Sequence, residues 1–320
     1  MEAVVEEIEE KPEEIEEEPE VLVCQYCGEP IKNADELDEE YLSEAGVPLH
    51  KKCVEKIEEE EKKRQEELKR TIEEETFKGK LYVSKTWKPM IELASKLMNE
   101  ATFRVKGSTV YMCEMDDSRI AMLRAIIIEQ QGELDKYLEE IKESKGFRVN
   151  LKSFAKALKY LDYTTKIVSD GAHIHFDLGY GTYSIPILYE TMETPEIKLQ
   201  FKTKGKINLK TEIIEDITKM MSQEPEHIQF TVNKDGDLTV RAVNNSNERI
   251  EIKLKRRFEG EEAKASYPFD YIKKLATTDY EWNIEFSDDM PLHAYKTYES
   301  SELLRLDFWL APRIEDIEWD

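Results

Sequence analysis

KLMNEATFRVKGSTVYMCEMDDSRIAML occupies residues 96–123, and its pattern sets the architecture of most of the chain. After a helical start, apolar and polar side chains alternate through TFRVKG and TVYMCEMD, two short runs joined at Gly107. Alternation with a period of two is typical of a strand with one buried face, and glycine suits the tight turn of a hairpin. We therefore predict an antiparallel hairpin here, followed by a third run, DSRIAMLRAIII.

The same plan recurs about 120 residues further along the chain. Each copy has a strand, a helix, a hairpin with a third run, a second helix and a closing strand pair. The corresponding parts are the strands LYVS (81–84) and FKTKGKIN (201–208), the helices 85–98 and 209–221, the second helices 151–161 and 269–278, and the closing pairs AHIHFDL with TYSIPIL and WNIEFS with LRLDFWL. Short alternating strands accompanied by helices indicate antiparallel sheets with one face covered. We expect an α+β fold of two similar domains, each with antiparallel sheets and two helices.

The formal net charge of −24 is distributed unevenly. Residues 1–76 contain 28 acidic and 10 basic side chains, a net charge of −18, which leaves −6 for the rest of the chain. A polyanion responds to the local charge of the surface that it meets rather than to the total. The chain after residue 76 is therefore compatible with a basic face.

Composition also divides the chain into six segments. Residues 1–20 offer few apolar side chains to bury, and we expect disorder there. In 57–76, Glu, Lys and Arg stand three or four apart, which favours an exposed helix. The predicted segments are an acidic tail at 1–20, a metal-binding module at 21–56, a charged helical linker at 57–76, a first domain at 77–188, an extended connection at 189–200 and a second domain at 201–320.

No run of 18 apolar residues occurs, so we expect no membrane-spanning segment and no membrane partner. The first 20 residues are acidic and lack the basic and apolar regions of a secretory signal. An intracellular location is therefore expected.

Motifs of catalytic sites are missing from the sequence, which contains no phosphate-binding loop, nucleophile elbow or dinucleotide-binding fingerprint. Asp116-Asp117 is a carboxylate pair, but it falls in a predicted turn, where aspartate is common. His173 and His175 share one face of a predicted strand with no third ligand nearby in sequence, and we interpret them as part of a solvated face. We expect a protein that is not an enzyme.

Three cysteines and a histidine form the strongest independent motif, Cys24-x2-Cys27-x22-His50-x2-Cys53. Three thiolates and one imidazole suit a closed tetrahedral zinc site, and each short spacing lets a pair bind one ion from a turn. The alternative is three free cysteines with a surface histidine. A disulfide is disfavoured by the intracellular expectation and by the odd number of cysteines in this motif. We predict one structural zinc ion per chain, and we interpret Cys113 as a small core residue.

Lysines recur on the four predicted helices of the repeat. They are Lys85, Lys88, Lys96, Lys152, Lys156, Lys159, Lys210, Lys219, Lys273 and Lys274. Lys152, Lys156 and Lys159 stand four and three residues apart, which places them on one helix face opposite apolar positions. Such a stripe is either a solvated face or a surface that attracts phosphates without reading sequence. The residues alone leave both interpretations open.

Three segments resemble the PCNA-type DNA sliding clamps, especially the archaeal ones. They are the stretch 96–123, TPEIKLQFKTK at 194–204, and DDMPLHAYKTYESSELLRLDFWLAPRIED at 288–316, in which LAPRIED is close to the family's C-terminal motif. The resemblance covers roughly 77–316, about three quarters of the chain. Separately, VCQYCGEPI and LHKKC resemble one zinc module of a LIM domain.

The resemblance implies a DNA-clamp (processivity) fold with a small N-terminal zinc finger added. Clamps of this family form a ring of six such domains, usually three subunits, with sheets outside and helices around a central hole. The implied function is a processivity factor in DNA replication and repair that encircles double-stranded DNA without sequence preference. Its implied partners are a DNA polymerase, other clamp-binding proteins, a clamp loader and itself, as a homotrimer. The implied location is the archaeal cytoplasm or nucleoid, or the nucleus in a eukaryote.

The resemblance also assigns roles to residues. It implies that Lys88, Lys156, Lys159 and Lys219 point at the DNA channel, although Asp216 stands at a position that is often basic in the family. A pocket for partner peptides with an aromatic pair and an aliphatic residue is implied at Met115, Ile120, Met192, Ile197, Pro291, Ala311, Pro312 and Ile314. Strands 182–188 and 248–254 are implied at the subunit edges. The alternative hypothesis is a clamp-like zinc-finger regulator that acts in transcription or partner recruitment.

Overall fold

The computed structural model describes residues 22–128, 141, 144–160, 165–188, 195, 203–255, 259–279, 281–299 and 302–313. The predicted acidic tail at 1–20 lies outside the described residues, as does the connection at 189–200 apart from Pro195. The chain divides into two compact units, Met1–Arg70 and Thr71–Asp320, which we call the N-terminal unit and the C-terminal unit.

The N-terminal unit contains a short 3-10 turn at Ala34–Glu36, helix α1 at Glu39–Ala45 and most of the long helix α2 at Lys51–Glu75. The side chain of Asp38 accepts a hydrogen bond of 2.9 Å from the backbone N–H of Tyr41 and so caps the start of α1. At its end, Gly46 adopts a left-handed φ of 69°, which closes the helix. A small apolar core forms beside α2 from Ile31, Leu49, Cys24, Cys53 and Val54.

The C-terminal unit contains two similar halves. In the first half the elements are β1 (Gly79–Val83), α3 (Trp87–Leu97), β2 (Glu100–Lys106), β3 (Thr109–Met115), β4 (Ala121–Ile128), β5 (Gly146–Asn150), α4 (Leu151–Leu158), β6 (Thr165–Ser169), β7 (His173–Asp177) and β8 (Thr182–Pro186). In the second half they are β9 (Gly205–Lys210), α5 (Thr211–Met220), β10 (His227–Val232), β11 (Leu238–Val243), β12 (Arg249–Leu254), β13 (Glu259–Gly260), β14 (Ala263–Pro268), α6 (Phe269–Ala276), β15 (Glu281–Phe286), β16 (Leu292–Glu299) and β17 (Leu303–Leu310).

All strand pairs of the three sheets are antiparallel. Two four-stranded sheets have the orders β1-β6-β7-β8 and β12-β11-β10-β14. The third sheet has nine strands in the order β13-β9-β15-β16-β17-β4-β3-β2-β5, so that β17 from the second half pairs with β4 from the first. This shared sheet makes the repeat one continuous structure, and the predicted α+β class with antiparallel sheets is confirmed.

The main core lies between the helices and one face of the sheets. Trp87 on α3 and Phe154 on α4 stack at 5.9 Å between ring centroids, and Phe103 on β2 lies 5.6 Å from Phe154. Such aromatic pairs add about 0.5–1.5 kcal/mol each beyond their burial. Asn150 caps α4 by accepting a 3.0 Å hydrogen bond from the N–H of Ser153. Packing and capping together fix which face of α4 points to solvent.

The sequence prediction is incomplete for several strands. β16 lies between the two predicted members of the second closing pair, so WNIEFS and LRLDFWL each pair with β16 rather than with each other. The sequence of β16, LHAYKTYE, alternates only at its start, where Leu292 and Ala294 are buried, so it gives a weak strand signal. Within the described residues, no helix is both long enough and apolar enough to cross a membrane.

Candidate functional site

The predicted metal ligands meet in the N-terminal unit. The ligand atoms of Cys24, Cys27, His50 and Cys53 all lie within 4.8 Å of one another. Nδ1 of His50 is 3.4 Å from Sγ of Cys27 and 4.0 Å from Sγ of Cys53. With Zn–S of about 2.3 Å and Zn–N of about 2.0 Å, a tetrahedral zinc ion holds its ligand atoms roughly 3.4–3.8 Å apart. The four ligand atoms are therefore close enough to hold one metal ion, although part of their spacing is wider than that of a closed zinc tetrahedron.

Local structure positions these ligands. Gly28 adopts a φ of 73° and its N–H donates a 2.8 Å hydrogen bond to the carbonyl of Cys24, which closes the turn that carries two of the thiols. The N–H of His50 donates to Sγ of Cys24 at 3.4 Å. Nε2 of His50, the nitrogen that faces away from the thiols, lies 4.0 Å from a carboxylate oxygen of Glu36. A carboxylate beside the outer nitrogen of a ligating histidine is a common way to orient its ring.

The thiols lie in an environment that separates their pKa values. Burial raises the pKa of Cys24, but backbone hydrogen bonds from Cys27, His50 and Tyr26 outweigh it and lower the pKa to about 6. Burial raises the pKa of Cys53 to about 11, and the neighbouring thiols add to the rise. Cys24 therefore ionises well before Cys53, and a bound cation would favour the ionised form of the thiols around it.

The predicted DNA-facing lysines all lie on, or directly beside, helices α3 to α6. Those with exposed side chains are Lys85, Lys88, Lys96, Lys152, Lys156, Lys159 and Lys219, and those that are half-buried are Lys210, Lys273 and Lys274. The structure thus places the ten positions on the solvent side of the four helices that cover the sheets.

Several of these lysines already have acidic partners. Lys88 lies 3.8 Å from Glu92 and Lys219 lies 3.2 Å from Glu215, while Lys273 and Lys274 pair with Glu224 and Asp270. The three lysines at α4, which are Lys152, Lys156 and Lys159, have no acidic partner within 4.0 Å among the residues that the structure describes. Positive charge is therefore concentrated most strongly at α4.

Lys96 has a different environment from the other lysines. Its ammonium group donates to the carbonyl of Thr277 at 2.9 Å and to the hydroxyl of Thr278 at 3.3 Å, at the end of α6. Burial of the ammonium group lowers its pKa. Lys96 thus ties α3 to the carboxyl end of α6, where cations are favoured.

An apolar groove of about 170 Å³ opens on the shared sheet. Its lining residues are Met115, Arg119, Ile120, Ala121, Met122, Pro291, Trp309, Leu310 and Ala311. Four residues predicted for the partner pocket, Met115, Ile120, Pro291 and Ala311, therefore come together here. Pro312 follows directly and is half-buried, whereas Met192, Ile197 and Ile314 lie outside the described residues. Met115 and Ile120 remain 40% and 37% exposed, so the groove presents apolar surface to solvent.

Five residues that line the groove are missed by the sequence prediction, namely Arg119, Ala121, Met122, Trp309 and Leu310. Met122 stands two residues after Ile120, and Trp309 two residues before Ala311, in strands where alternate residues share a face. Strand alternation could have found both. Strand alternation does not predict Arg119, because this residue lies in the turn before β4 with a left-handed φ of 57°.

Each four-stranded sheet has an end strand that the sequence resemblance to the clamp family places at a subunit edge. β8 ends one four-stranded sheet and β12 ends the other. In β12, the exposed Arg249, Glu251 and Lys253 alternate with half-buried Ile250, Ile252 and Leu254. A half-buried apolar row along an open strand edge favours pairing with another strand.

Sequence comparison finds relatives that share a single description. A DNA polymerase sliding clamp from Thermococcus fumicolans is 29% identical over 251 residues, which are 73% of this chain and 96% of the relative. The sliding clamp of Pyrococcus furiosus is 28% identical with the same coverage. The scan against family models finds no match.

Solved structures give the same fold. The PCNA2-PCNA3 complex from Sulfolobus tokodaii matches with a TM-score of 0.59 at 18% identity, over 75% of this chain and 100% of the other. A PCNA from A. fulgidus, solved with the C-terminal region of FEN-1 bound, matches with a TM-score of 0.60 at 17% identity, over 74% of this chain and 99% of the other. The chain is thus similar in sequence to DNA polymerase sliding clamps and has the fold of the PCNA structures.

A buried carboxylate supports one wall of the groove. Asp307 is 1% exposed and accepts hydrogen bonds from Arg124 at 2.9 Å, from His293 at 3.0 Å and from Arg305 at 2.9 Å. Burial raises the pKa of Asp307, but the hydrogen bond from His293 and the charges of the two arginines outweigh it and hold the pKa well below its usual range. The His293 ring stacks on Trp309 at 4.9 Å, so the charged cluster fixes the indole.

The other polar pairs singled out in the sequence have structural roles in the fold. Asp116 is 4% exposed and caps its own turn, accepting from the N–H groups of Ile120 at 2.8 Å and Ala121 at 2.6 Å. His175 contacts Asp170 at 3.0 Å and Ser184 at 2.8 Å, and its ring lies 5.9 Å from that of His173. Among the described residues, metal-ligand atoms gather only at the cysteine cluster.

Proposed function

We propose that this chain is a DNA polymerase sliding clamp, a ring subunit that encircles duplex DNA and tethers polymerases and other replication and repair proteins. It acts as a scaffold without catalysis, on DNA inside the cell. The observation that carries the proposal is that the nine-stranded sheet packs against the helices on one face and forms the apolar groove on the other. Leu123 and Phe308 pack under the helices, whereas their neighbours Met122 and Trp309 project to the opposite face and line the groove. DNA and partner proteins can therefore bind on opposite sides of the same wall.

The DNA side of the proposal rests on the exposed lysines of the four helices. Lysines attract phosphates without base readout, which is what a sliding protein needs. Lys152, Lys156 and Lys159 contribute most because no acidic partner within 4.0 Å offsets them in the described part of the chain. Retention comes from the closed ring, so each phosphate contact can be weak enough to allow sliding. The DNA ligand is duplex DNA of any sequence.

Ring closure is assigned to the open edges of β8 and β12. Pairing β8 of one subunit with β12 of the next joins two four-stranded sheets and covers the half-buried Ile250, Ile252 and Leu254. Pro186, which has no N–H to donate, is tolerated at such an edge. A ring of three identical subunits pairs every β8 with a β12 in this way.

The partner side of the proposal is the groove beside Met115 and Ile120. Its lining is almost entirely apolar, and Arg119 supplies one cation at the rim. A peptide with an aliphatic residue and an aromatic pair matches this chemistry, because apolar side chains bury surface while the peptide backbone stays at the rim. A polymerase and a clamp loader are the expected carriers of such peptides.

The N-terminal module is assigned one structural zinc ion, held by Cys24, Cys27, His50 and Cys53. The support is the donor set of three thiols and one imidazole gathered within 4.8 Å, and the small size of the core beside it. When bound, zinc supplies cross-links between the two ends of the module. Glu36 orients the histidine ring through its outer nitrogen.

Loading of the full chain onto DNA tests the function. A clamp loader with ATP should place the protein on nicked circular DNA, where it is retained, and cutting the circle should release it because only topology holds it. Mass in solution should correspond to a trimer. A monomer whose DNA association is lost when residues 1–76 are deleted contradicts the clamp assignment and supports the zinc-finger regulator instead.

A further inference from the structure

Tyr271 on α6, in the second half of the repeat, reaches the loop that borders the groove in the first half. Its hydroxyl donates a 2.6 Å hydrogen bond to Oδ2 of Asp116. This hydrogen bond links helix α6 to the turn between β3 and β4.

Asp116 organises that turn. Its carboxylate accepts from the N–H groups of Ser118 at 3.3 Å, Ile120 at 2.8 Å and Ala121 at 2.6 Å. Within the turn, Arg119 has a φ of 57°, a conformation that residues other than glycine adopt only when surrounding contacts hold it. The carboxylate is therefore the element that keeps the turn in its groove-forming shape.

The same turn also sets a second wall of the groove. The carbonyl of Ile120 accepts a 2.9 Å hydrogen bond from the N–H of Ala311, which follows β17. A shift of Ile120 therefore moves Ala311 as well, and both residues line the groove.

Tyr271 itself is held in place. Nζ of Lys274 lies 4.5 Å from the centre of its ring, and Lys274 pairs with Asp270 at 2.8 Å. Burial, followed by the hydrogen bond to Asp116, raises the pKa of Tyr271 to about 12, so the hydroxyl remains a donor at neutral pH. The Tyr271 ring, held by Lys274 on its face and by Asp116 at its hydroxyl, can therefore define where the Asp116 carboxylate lies.

We propose that Tyr271 is a positioning residue for partner binding, which fixes the loop 116–121 through Asp116 without touching the partner. The inference rests on the proposed function, because it takes the groove as the docking site for partner peptides. Without the hydroxyl, the loop samples other conformations. The apparent affinity for the peptide then falls in proportion to the fraction of molecules whose loop keeps the binding conformation. Because a hydrogen bond to a charged group is involved, we expect about a five- to twentyfold loss of affinity.

The test uses the full chain and a fluorescent synthetic peptide that carries one aliphatic residue and two adjacent phenylalanines. Tyr271→Phe should bind about five- to twentyfold more weakly than the unaltered protein, and its amide hydrogens at Ile120 and Ala121 should exchange faster. Tyr82→Phe, at a side chain that is 58% exposed, is the matched control and should bind like the unaltered protein. Ring mass and retention on circular DNA should stay unchanged in both variants.

Each outcome decides a different point. Equal peptide affinity for Tyr271→Phe and the unaltered protein overturns the inference and leaves the clamp function standing. Weaker binding together with loss of the trimer also overturns it, because the effect is then on assembly. Failure of the unaltered protein to bind the peptide overturns both the inference and the assignment of the groove. Adding Tyr271→Phe to Asp116→Ala should cause no further loss, since the hydroxyl acts through that carboxylate.

Discussion

Trp309 on β17 lies directly opposite Met122 on β4 in the antiparallel register of the shared sheet. The two residues come from different halves of the repeat, yet together they form the floor of one groove. The groove is therefore a product of the join between the halves, and neither half contains it alone.

Ile120→Glu should abolish binding of the phenylalanine-containing peptide. Ile120 stands at the groove and is 37% exposed, so the fold tolerates the carboxylate, but a bound peptide would bury it at a cost of several kcal/mol. That is enough to erase a micromolar interaction, which corresponds to about 8 kcal/mol. Fluorescence anisotropy with the labelled peptide measures the loss. Ile120→Met is the control, and equal binding by both variants would place the docking surface elsewhere.

Replacing Lys152, Lys156 and Lys159 together by Ala should weaken retention on DNA and flatten its dependence on salt. Every lysine that no longer neutralises a phosphate reduces the slope of log affinity against log salt by about 0.9. Retention on circular DNA at increasing ionic strength is the measurement. A control that replaces the exposed Lys80, Lys166 and Lys234 removes the same charge from other surfaces. If both triple variants lose retention to the same extent, the net charge of the protein holds the DNA and the α4 surface has no special role.

Cys27→Ala should remove zinc from the protein and unfold the N-terminal unit. Structural zinc contributes about 10–16 kcal/mol to small modules, far more than the core of Ile31, Leu49 and Val54 can replace. Elemental analysis should give one zinc per unaltered chain and none in the variant. Cys113→Ala, which changes a buried cysteine outside the cluster, should keep its zinc. Absence of zinc from the unaltered protein, purified without chelators, would contradict the assignment.

Asp307→Asn should lower the free energy of unfolding at pH 7 by about 3 kcal/mol, because it leaves charged partners of a buried carboxylate uncompensated. The pKa of Asp307 is lowered in the folded state, so its stabilisation is complete above the unfolded pKa of about 4 and is lost as pH falls toward the folded value. The difference between variant and parent should therefore shrink below about pH 4. Urea unfolding at several pH values checks this. Asp235→Asn, in an exposed turn, should have little effect at any pH.

Ile252→Glu should convert the trimer into monomers without unfolding them. The side chain is half-buried on the open edge of β12, where a partner strand would bury the new charge completely. Light scattering at micromolar concentration measures the mass. Lys234→Glu adds a glutamate to an exposed turn and should remain a trimer. A trimeric Ile252→Glu protein would show that another surface closes the ring.

The sequence was sufficient for those features that depend on local spacing. The hairpin at Gly107 follows from alternation, and the cluster around Cys24 and His50 from ligand spacing, because both patterns are set by neighbouring residues. The bonds of Lys96 to Thr277 and of Tyr271 to Asp116 have no local signal. They depend on how α3, α6 and the β3–β4 turn meet in three dimensions, and the register of β17 on β4 decides which residues share the groove.

The seam between β4 and β17 has a mechanical consequence for a closed ring. Eight residue pairs join the two halves of one subunit along this seam. The open edges are shorter, since β8 has five residues and β12 has six. Under an outward load, a ring fails first where the fewest backbone hydrogen bonds must break together. If the subunits close a ring through β8 and β12 as proposed, a load that opens the ring will part these edges before it parts the seam between β4 and β17.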